Sequence, residues 1–161
     1  LFADDGGRLV IVEDVERWLE RGLFLPAPDE VLALGLGEGD QVARLARLRL
    51  ADGRPMAIER ASLPPGILPN PLIVTASLYE VLGASDHRPV RAVQKISAIN
   101  LSETDAALLA MDAGAAGLRI ERTSYLPEGR VAEFTRSSYR GDAYDFVAEL
   151  RLPDTAMGVT Q

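Results

Sequence analysis

Two strand-like stretches of this chain carry charged and polar side chains at alternate positions. The first contains Arg47 and Arg49, which are two residues apart and share one face of a strand, while Leu48 and Leu50 point to the other face. Burying a guanidinium group is costly unless an opposite charge neutralises it. The pattern therefore predicts either a solvated face with cross-strand ion pairs or a polar pocket that binds a small anion.

The turn after this strand decides whether Glu59 joins the two arginines. Asp52-Gly53 between two strand-like runs is typical of a β-hairpin. A two-residue turn would put Glu59 on the opposite face, whereas a three-residue loop with Gly53 in the left-handed conformation would bring it to the arginine side. We expect the three-residue loop, and therefore Glu59 beside Arg47 and Arg49.

The second stretch places Glu133, Thr135, Ser137 and Tyr139 at alternate positions, while Phe134 points the other way. Four polar residues on one strand face are explained by a sheet that is covered on one side only. The same residues also suit a second wall of a ligand pocket, because carboxylates and hydroxyls bind hydroxyl and amide groups. The sequence leaves both interpretations open.

Ser77 and Tyr79 lie at the predicted start of a short helix that Thr75 opens. Free backbone N–H groups at a helix start, together with a hydroxyl group, favour anion binding. Capping of the helix by Thr75 explains part of this pattern without any ligand.

The composition excludes several classes of function. The 161 residues suffice for one domain with a core, and a net charge of −7 makes this segment alone a poor binder of nucleic acid. The chain has no cysteine and only one histidine, His87, so we expect neither a catalytic triad nor a metal site nor a cofactor. No apolar run reaches the ~18 residues that a membrane span requires, so we expect no membrane partner.

The predicted elements are short and mostly joined by hairpins. Helices are expected to begin at Asp14, Thr75 and Ser102, and the segment 23–39, which contains Pro26 and Pro28, is expected to be a connector. The expected strands cover residues 9–12, 41–50, 56–62, 90–99, 118–125, 131–139 and 146–152, before a loose tail at 153–161. This order predicts an α+β fold, with an antiparallel sheet flanked by short helices.

Four motifs together resemble a known family. They are Leu48-Arg49-Leu50-Ala51-Asp52-Gly53-Arg54-Pro55-Met56, Ser77-Leu78-Tyr79, Leu118-Arg119-Ile120-Glu121-Arg122, and the run from Glu133-Phe134 to Ser138-Tyr139-Arg140-Gly141-Asp142-Ala143-Tyr144. In order and spacing they are similar to the UTRA domain, the C-terminal effector-binding domain of HutC-type GntR transcription regulators. The resemblance covers residues 31–152 and implies a chorismate-lyase-like fold.

The resemblance also implies which residues bind an effector. The positions of Arg47 and Arg49 bind phosphate or other anionic groups in related domains, and Ser77 and Tyr79 lie near the same anion. Glu59, Glu133 and Tyr139 match positions that hold hydroxyl or amide groups. We therefore expect a small anionic metabolite, a sugar phosphate or a carboxylate, as the ligand.

The implied role is an effector-sensing and dimerisation domain of a bacterial-type cytoplasmic regulator. It would form a homodimer and contact DNA only through an N-terminal winged helix-turn-helix, for which residues 1–30 are too short. Two alternatives remain open: an enzyme of the chorismate-lyase kind, and a dimerisation module that binds no ligand. The sequence favours the non-enzymatic reading, because it offers no distinctive catalytic pair.

Overall fold

The structure is a computed structural model that describes residues 14–153. It contains a six-stranded antiparallel sheet with the strand order β1-β2-β3-β6-β5-β4. The strands are Asp14–Phe24 (β1), Val42–Ala51 (β2), Arg54–Leu63 (β3), Arg91–Asn100 (β4), Ala116–Tyr125 (β5) and Val131–Arg140 (β6). The helices are Pro28–Leu34 (α1), Leu78–Ala84 (α2) and Glu103–Leu108 (α3), with a 3-10 helix at Pro71–Ile73. The predicted α+β class is confirmed.

The two faces of the sheet are covered by different helices. On one face, Leu45 of β2 and Leu63 of β3 pack in one buried cluster with Leu82 of α2. On the other face, Leu48 of β2 packs in a second cluster with Leu109, just after α3. Alternate residues of β2 thus supply two separate cores, as the strand period of two requires. None of the helices between residues 14 and 153 is long and apolar enough to cross a lipid bilayer.

The turn between β2 and β3 differs from the prediction, although its consequence is the same. Asp52 and Gly53 form a two-residue turn with φ angles of 50° and 74°, not a three-residue loop. A β-bulge follows, because Leu50 pairs with Pro55 whereas Arg49 pairs with Ala57. The extra residue in β3 restores odd-to-odd pairing.

The predicted helix from Asp14 is wrong, because this segment is β1 and pairs with β2 along its length. Trp18 pairs with Arg47 and Glu20 with Ala46, so Leu19 is an extra residue that interrupts the alternation. The bulge gives the sequence an apparent helical spacing, and pairing with β2 overrides it. β1 thus joins residues from the 1–30 segment to the main sheet.

The expected connector at 23–39 contains α1. Pro28 stands in the first turn of that helix, where a missing N–H costs nothing, so proline starts this helix rather than breaking it. The Glu30 carboxylate accepts a hydrogen bond from the N–H of Ala27 at 2.9 Å. Gly35 ends the helix with a φ angle of 65°.

Three further expectations can be compared with the described residues. Ser77, not Thr75, caps α2, because its hydroxyl accepts from the N–H of Glu80 at 3.3 Å. Ser102 caps α3 as predicted, accepting from the N–H of Asp105 at 3.2 Å. The strand expected at 146–152 is wrong for this chain alone, since these residues pair with no strand between residues 14 and 153. The strand expected at 9–12 and the tail after Pro153 lie outside the described residues.

Gly141 closes the connection between β6 and the segment that follows. A Cβ atom at this position would lie 2.6 Å from the carbonyl oxygen of Ala116, a backbone atom that cannot move aside cheaply. We expect Gly141→Ala to destabilise the domain by about 1–3 kcal/mol in urea unfolding, through overpacking. The matched control is Gly83→Ala in α2, where the added methyl group meets open space, and we expect it to be neutral or stabilising. Equal stability of the two variants would contradict this account of the turn.

Candidate functional site

The hairpin of β2 and β3 places the predicted arginines and Glu59 on one face of the sheet. Arg47 pairs directly with Glu59 in the β-ladder, and Arg49 lies two residues along the same face. The Nε atom of Arg49 lies 2.8 Å from Oε1 of Glu59, and only 12% of the Arg49 side chain is exposed. Arg49 is therefore largely covered and Arg47 is partly buried, which argues against the solvated-face interpretation of this strand.

Arg47 connects this face of the sheet to the start of α2. Its Nη1 atom donates a hydrogen bond to the carbonyl oxygen of Ala76 at 2.6 Å, and its guanidinium lies 4.5 Å from the centroid of the Trp18 ring. Ala76 directly precedes Ser77, the cap of α2. Arg21 lies over the same tryptophan ring at 4.6 Å, and so the ring of Trp18 contacts two guanidinium groups.

The polar residues of β6 are buried. Glu133, Ser137 and Tyr139 are exposed by only 3%, 8% and 5%, and Thr135 is partly buried. Through the β3–β6 pairing, Ser137 stands opposite Glu59, so these residues share the face of Arg47 and Arg49. We call this surface the arginine face; it is formed by Arg47, Arg49, Glu59, Glu133 and Tyr139, with Arg122 and Ser124 of β5.

Two side-chain oxygen atoms of the arginine face are buried without a hydrogen-bond partner in the described chain. Oε2 of Glu133 and Oγ of Ser124 have no hydrogen-bond partner among the residues that the structure describes. The two residues are direct cross-strand neighbours in the β5–β6 ladder. Buried polar atoms in native proteins are almost always hydrogen-bonded, so two neighbouring atoms without partners mark a candidate position for a bound group.

Burial raises the pKa values of both Glu133 and Tyr139 on β6. Loss of solvation raises the pKa of Glu133 from 4.5 to about 7; Arg122 and Arg47 lower it, and Glu59 raises it. Burial also raises the pKa of the Tyr139 phenol, which is neutral at physiological pH even at its ordinary pKa of 10. The face thus combines cationic groups, a carboxyl group that titrates near neutrality and a hydroxyl group.

Two of the predicted site residues, Ser77 and Tyr79, lie at the start of α2 and not on the strands of the arginine face. Ser77 lies next to the acceptor of Arg47, but its hydroxyl already caps α2. Tyr79, on the first turn of that helix, is 40% exposed. No contact within the described chain ties its phenol to the arginines.

Sequence reasoning did not identify Arg122 and Ser124 as candidate site residues. They lie on β5 opposite Thr135 and Glu133, and Arg122 donates to the side-chain oxygen of Gln94 at 2.8 and 3.1 Å. The hairpin around Glu128 could have identified Ser124, because the register of its two strands places Ser124 opposite Glu133.

The opposite face of the sheet holds a second group of arginines around an open cleft of about 250 Å³. There each guanidinium has a carboxylate partner: Arg44 pairs with Glu20 and Glu30, Arg60 with Asp105, and Arg136 with Asp29. These pairs attach α1 and α3 to the sheet. The guanidinium groups of this cleft have carboxylate partners, whereas the arginine face also buries the unpaired oxygens of Glu133 and Ser124. The cleft is therefore the weaker candidate for anion binding.

A metal centre has no support in the described part of the chain. No group of three or more histidine, aspartate or glutamate side chains between residues 14 and 153 is arranged to hold a metal ion. The side chains of the arginine face supply guanidinium, carboxyl and hydroxyl groups, which can recognise a ligand by charge and hydrogen bonds.

Comparisons of the sequence with family models and with known proteins both indicate an effector domain of transcription regulators. The family model described as the UTRA domain matches residues 15–145. The chain is 36% identical over 129 residues to the HTH-type transcriptional repressor NagR of Bacillus subtilis (strain 168), covering 77% of this chain and 53% of NagR. It therefore spans about half the length of the curated relatives it matches.

Solved structures agree with the sequence comparison. A GntR-family transcriptional regulator from Enterococcus faecalis V583 superposes with a TM-score of 0.78 at 31% identity, covering 84% of this chain and 100% of that one. The effector domain of PhnF from Mycobacterium smegmatis superposes with a TM-score of 0.79 at 26% identity, covering 86% and 88%. The predicted chorismate-lyase-like architecture is confirmed. NagR and the Enterococcus faecalis protein are transcription regulators, and the prediction that this domain is not an enzyme is confirmed.

Proposed function

This chain belongs to the UTRA family of effector-binding domains of GntR-type regulators, as its motifs predicted, and on that premise we propose that it senses a small anionic metabolite. The domain is of the HutC type and acts as a homodimer in the cytoplasm. It controls DNA binding by a winged helix-turn-helix that precedes it in the whole protein. The effector is a sugar phosphate or a carboxylate.

The observation that carries this proposal is the orphaned pair on the arginine face. Glu133 and Ser124 bury polar atoms that have no partner in the described chain, on the same face as Arg47 and Arg49. A ligand with an anionic end and a hydroxyl or amide end satisfies both parts at once. A purely structural face has no reason to keep an unsatisfied buried carboxyl group, because such a group destabilises the fold.

In this proposal, the two arginines exchange partners when the effector binds. Arg47 leaves the carbonyl oxygen of Ala76 and Arg49 loosens from Glu59, and both guanidinium groups turn to the anionic group of the ligand. Glu59, Glu133 and Tyr139 then bind its hydroxyl or amide groups. Ser77 and Tyr79 border the site from α2.

The exchange at Ala76 supplies a route from the ligand to the rest of the molecule. The contact between Arg47 and Ala76 holds the start of α2 against the sheet, so a ligand that competes for Arg47 changes how firmly that helix is attached. Effector binding then shifts the population between two arrangements of the dimer. The spacing of the attached DNA-binding domains, and therefore operator affinity, changes with it.

A paired-ligand thermal-shift experiment tests the proposal. Native mass spectrometry first identifies any small anion that copurifies, and a panel then compares each sugar phosphate or carboxylate with its uncharged parent, such as glucose 6-phosphate with glucose. We expect at least one anion to raise the melting temperature while its neutral counterpart does not, since binding stabilises the native state. A panel in which charged and neutral compounds behave alike would favour a dimerisation module without a ligand.

A further inference from the structure

The β-bulge in β1 places Trp18 and Arg21 on the same side of the sheet. In a regular strand, residues three apart point to opposite sides. Trp18 pairs with Arg47, and the extra residue Leu19 then shifts the register, so that Arg21 pairs with Leu45. Because cross-strand partners share a face, the side chains of Trp18 and Arg21 both lie on the side of the sheet that carries Arg47.

Arg21 and Arg47 attach the same connection to the sheet, the one that joins the 3-10 helix to α2. The Nη1 atom of Arg21 donates to the carbonyl oxygen of Val74 at 2.9 Å, and Nη1 of Arg47 donates to that of Ala76 at 2.6 Å. The two guanidinium groups lie 4.6 and 4.5 Å from the centroid of the Trp18 ring. One aromatic side chain therefore contacts both arginines that hold this connection.

The two attachments differ in their surroundings. Val74 is completely buried in the core cluster under α2, and its hydrogen bond with Arg21 is partly buried. Ala76 and its hydrogen bond with Arg47 are exposed to solvent. A dissolved anion can therefore compete with Ala76 for Arg47, whereas the contact between Arg21 and Val74 is shielded from it.

The contact with the tryptophan ring leaves Arg47 able to bind a ligand. Arg47 donates to Ala76 while it lies over Trp18, so the ring contact is compatible with hydrogen bonding by the same guanidinium group. The ring attracts the cation, and the N–H donors point outward from the guanidinium plane's edge. The ring thus restricts the positions of the group, and an anion has less side-chain entropy to remove when it binds.

We propose that Trp18 and Arg21 are positioning residues of the effector site. The ring of Trp18 holds the guanidinium group of Arg47 at the arginine face before and after the effector binds, so that only the hydrogen bond to Ala76 is exchanged. Arg21 stays bound to Val74 and keeps both the ring and the connection in place. The inference rests on the anion sensing proposed above and adds two residues of β1 to it.

Trp18 is the only tryptophan of the chain, so its fluorescence reports on the exchange directly. We expect inorganic phosphate, glucose 6-phosphate or citrate to change the emission, because an anion arrives beside the ring and Arg47 turns towards it. Glucose, the uncharged control, should not change it, and Arg47→Ala should abolish the response. Anions that raise the melting temperature but leave the emission unchanged would overturn the inference and leave the proposed function standing. No response of either quantity to any of the three anions would overturn both.

A double-mutant cycle separates positioning from a purely structural role of Trp18. We expect Trp18→Leu to weaken anion binding about fivefold in calorimetry, and Trp18→Phe, which keeps an aromatic ring, to retain most of the affinity. In an Arg47→Ala background, Trp18→Leu should have little further effect, because the ring acts through Arg47. Additive losses in the cycle, or wild-type affinity in Trp18→Leu, would overturn the role of Trp18.

Two arginine variants of β1 test the second positioning residue. We expect Arg21→Ala to weaken anion binding about threefold and to speed hydrogen exchange at the start of α2, since the connection loses its buried attachment. The matched control is Arg17→Ala, because Arg17 is exposed on the same strand and pairs with Leu48 on the other side of the sheet. Equal affinity and equal exchange in the two variants would overturn the role of Arg21.

Discussion

Replacing Arg47 by alanine is expected to weaken binding of the anionic effector about a hundredfold. The variant removes a charge-assisted hydrogen bond to the ligand, and such bonds contribute about 1.5–3 kcal/mol each. Arg47 lies on the arginine face and contacts Ala76 and Trp18, so its loss should loosen the start of α2 while the sheet remains folded. Isothermal titration calorimetry with the best anion of the panel measures the affinity, and far-ultraviolet circular dichroism checks the fold.

Two variants control for this prediction. Arg47→Lys keeps the charge but not the forked geometry of the guanidinium, so we expect intermediate binding. Arg130→Ala removes an exposed arginine that pairs with Glu128 on the β5–β6 hairpin, and it should bind the ligand as the wild type does. An Arg47→Ala variant that binds as tightly as the wild type would remove Arg47 from the site.

Replacing Glu133 by glutamine is expected to stabilise the ligand-free domain at alkaline pH and to leave it almost unchanged at pH 4.5. Burial raises the pKa of Glu133 from 4.5 to about 7, so the folded protein binds this proton more tightly than the unfolded chain does. Its contribution is therefore fully present below about pH 4.5 and is lost as the pH rises to about 7. The difference in pKa corresponds to about 3 kcal/mol above pH 7, and glutamine, which does not ionise, escapes this loss.

Urea unfolding of both proteins between pH 4.5 and pH 8 measures this difference. The two free energies of unfolding should diverge as the pH rises, with the variant the more stable. Glu128→Gln is the control, because Glu128 is an exposed carboxylate on a hairpin and should not reproduce the divergence. Parallel curves for the wild type and Glu133→Gln would show that Glu133 does not bear the cost of burial assigned to it.

The effects expected for Arg47→Ala and Glu133→Gln have one origin, because the arginine face buries ionisable side chains. Glu133 lowers the stability of the free domain at neutral pH, and Arg49 is largely removed from solvent beside Glu59. Proteins keep destabilising buried charged groups where function requires them. A binding site contains such groups because the bound ligand supplies their hydrogen-bond and charge partners. On the opposite face, burial also disfavours ionisation of Glu30, but hydrogen bonds from Arg44 and Ser62 lower the pKa of its carboxyl group below the usual value.

The sequence predicted the sheet better than its first strand. Alternation and turn residues identified β2, β3, β5 and β6, because each belongs to a hairpin whose pairing is local. The residues of β1 have an apparent helical spacing because the bulge at Leu19 interrupts the period of two, and only pairing with β2 shows that the segment is a strand. One proline alone does not show whether a helix starts or ends there, so Pro28 is compatible with both a connector and the first turn of α1.

The sequence predicts those parts of the candidate site that depend on local strand geometry, and not those that depend on pairing and burial. Arg47 and Arg49 share a face because of strand geometry alone. The position of Glu59 depends on a β-bulge after Pro55, which no residue type in the sequence indicates. The prediction placed Glu59 on the correct face of the sheet, although it assumed a three-residue loop instead of a two-residue turn followed by a bulge. Ser124 was missed because its importance arises from burial beside Glu133, and burial depends on what packs over the sheet.

The most direct test of the central claim is a crystal structure of this domain with the anion that gives the largest thermal shift. The account predicts that the anionic group lies about 3 Å from guanidinium nitrogens of both Arg47 and Arg49, with a donor group of the ligand at Glu133. An anion bound instead in the cleft beside Arg44, with Arg47 still on Ala76 and Arg49 still on Glu59, would contradict it.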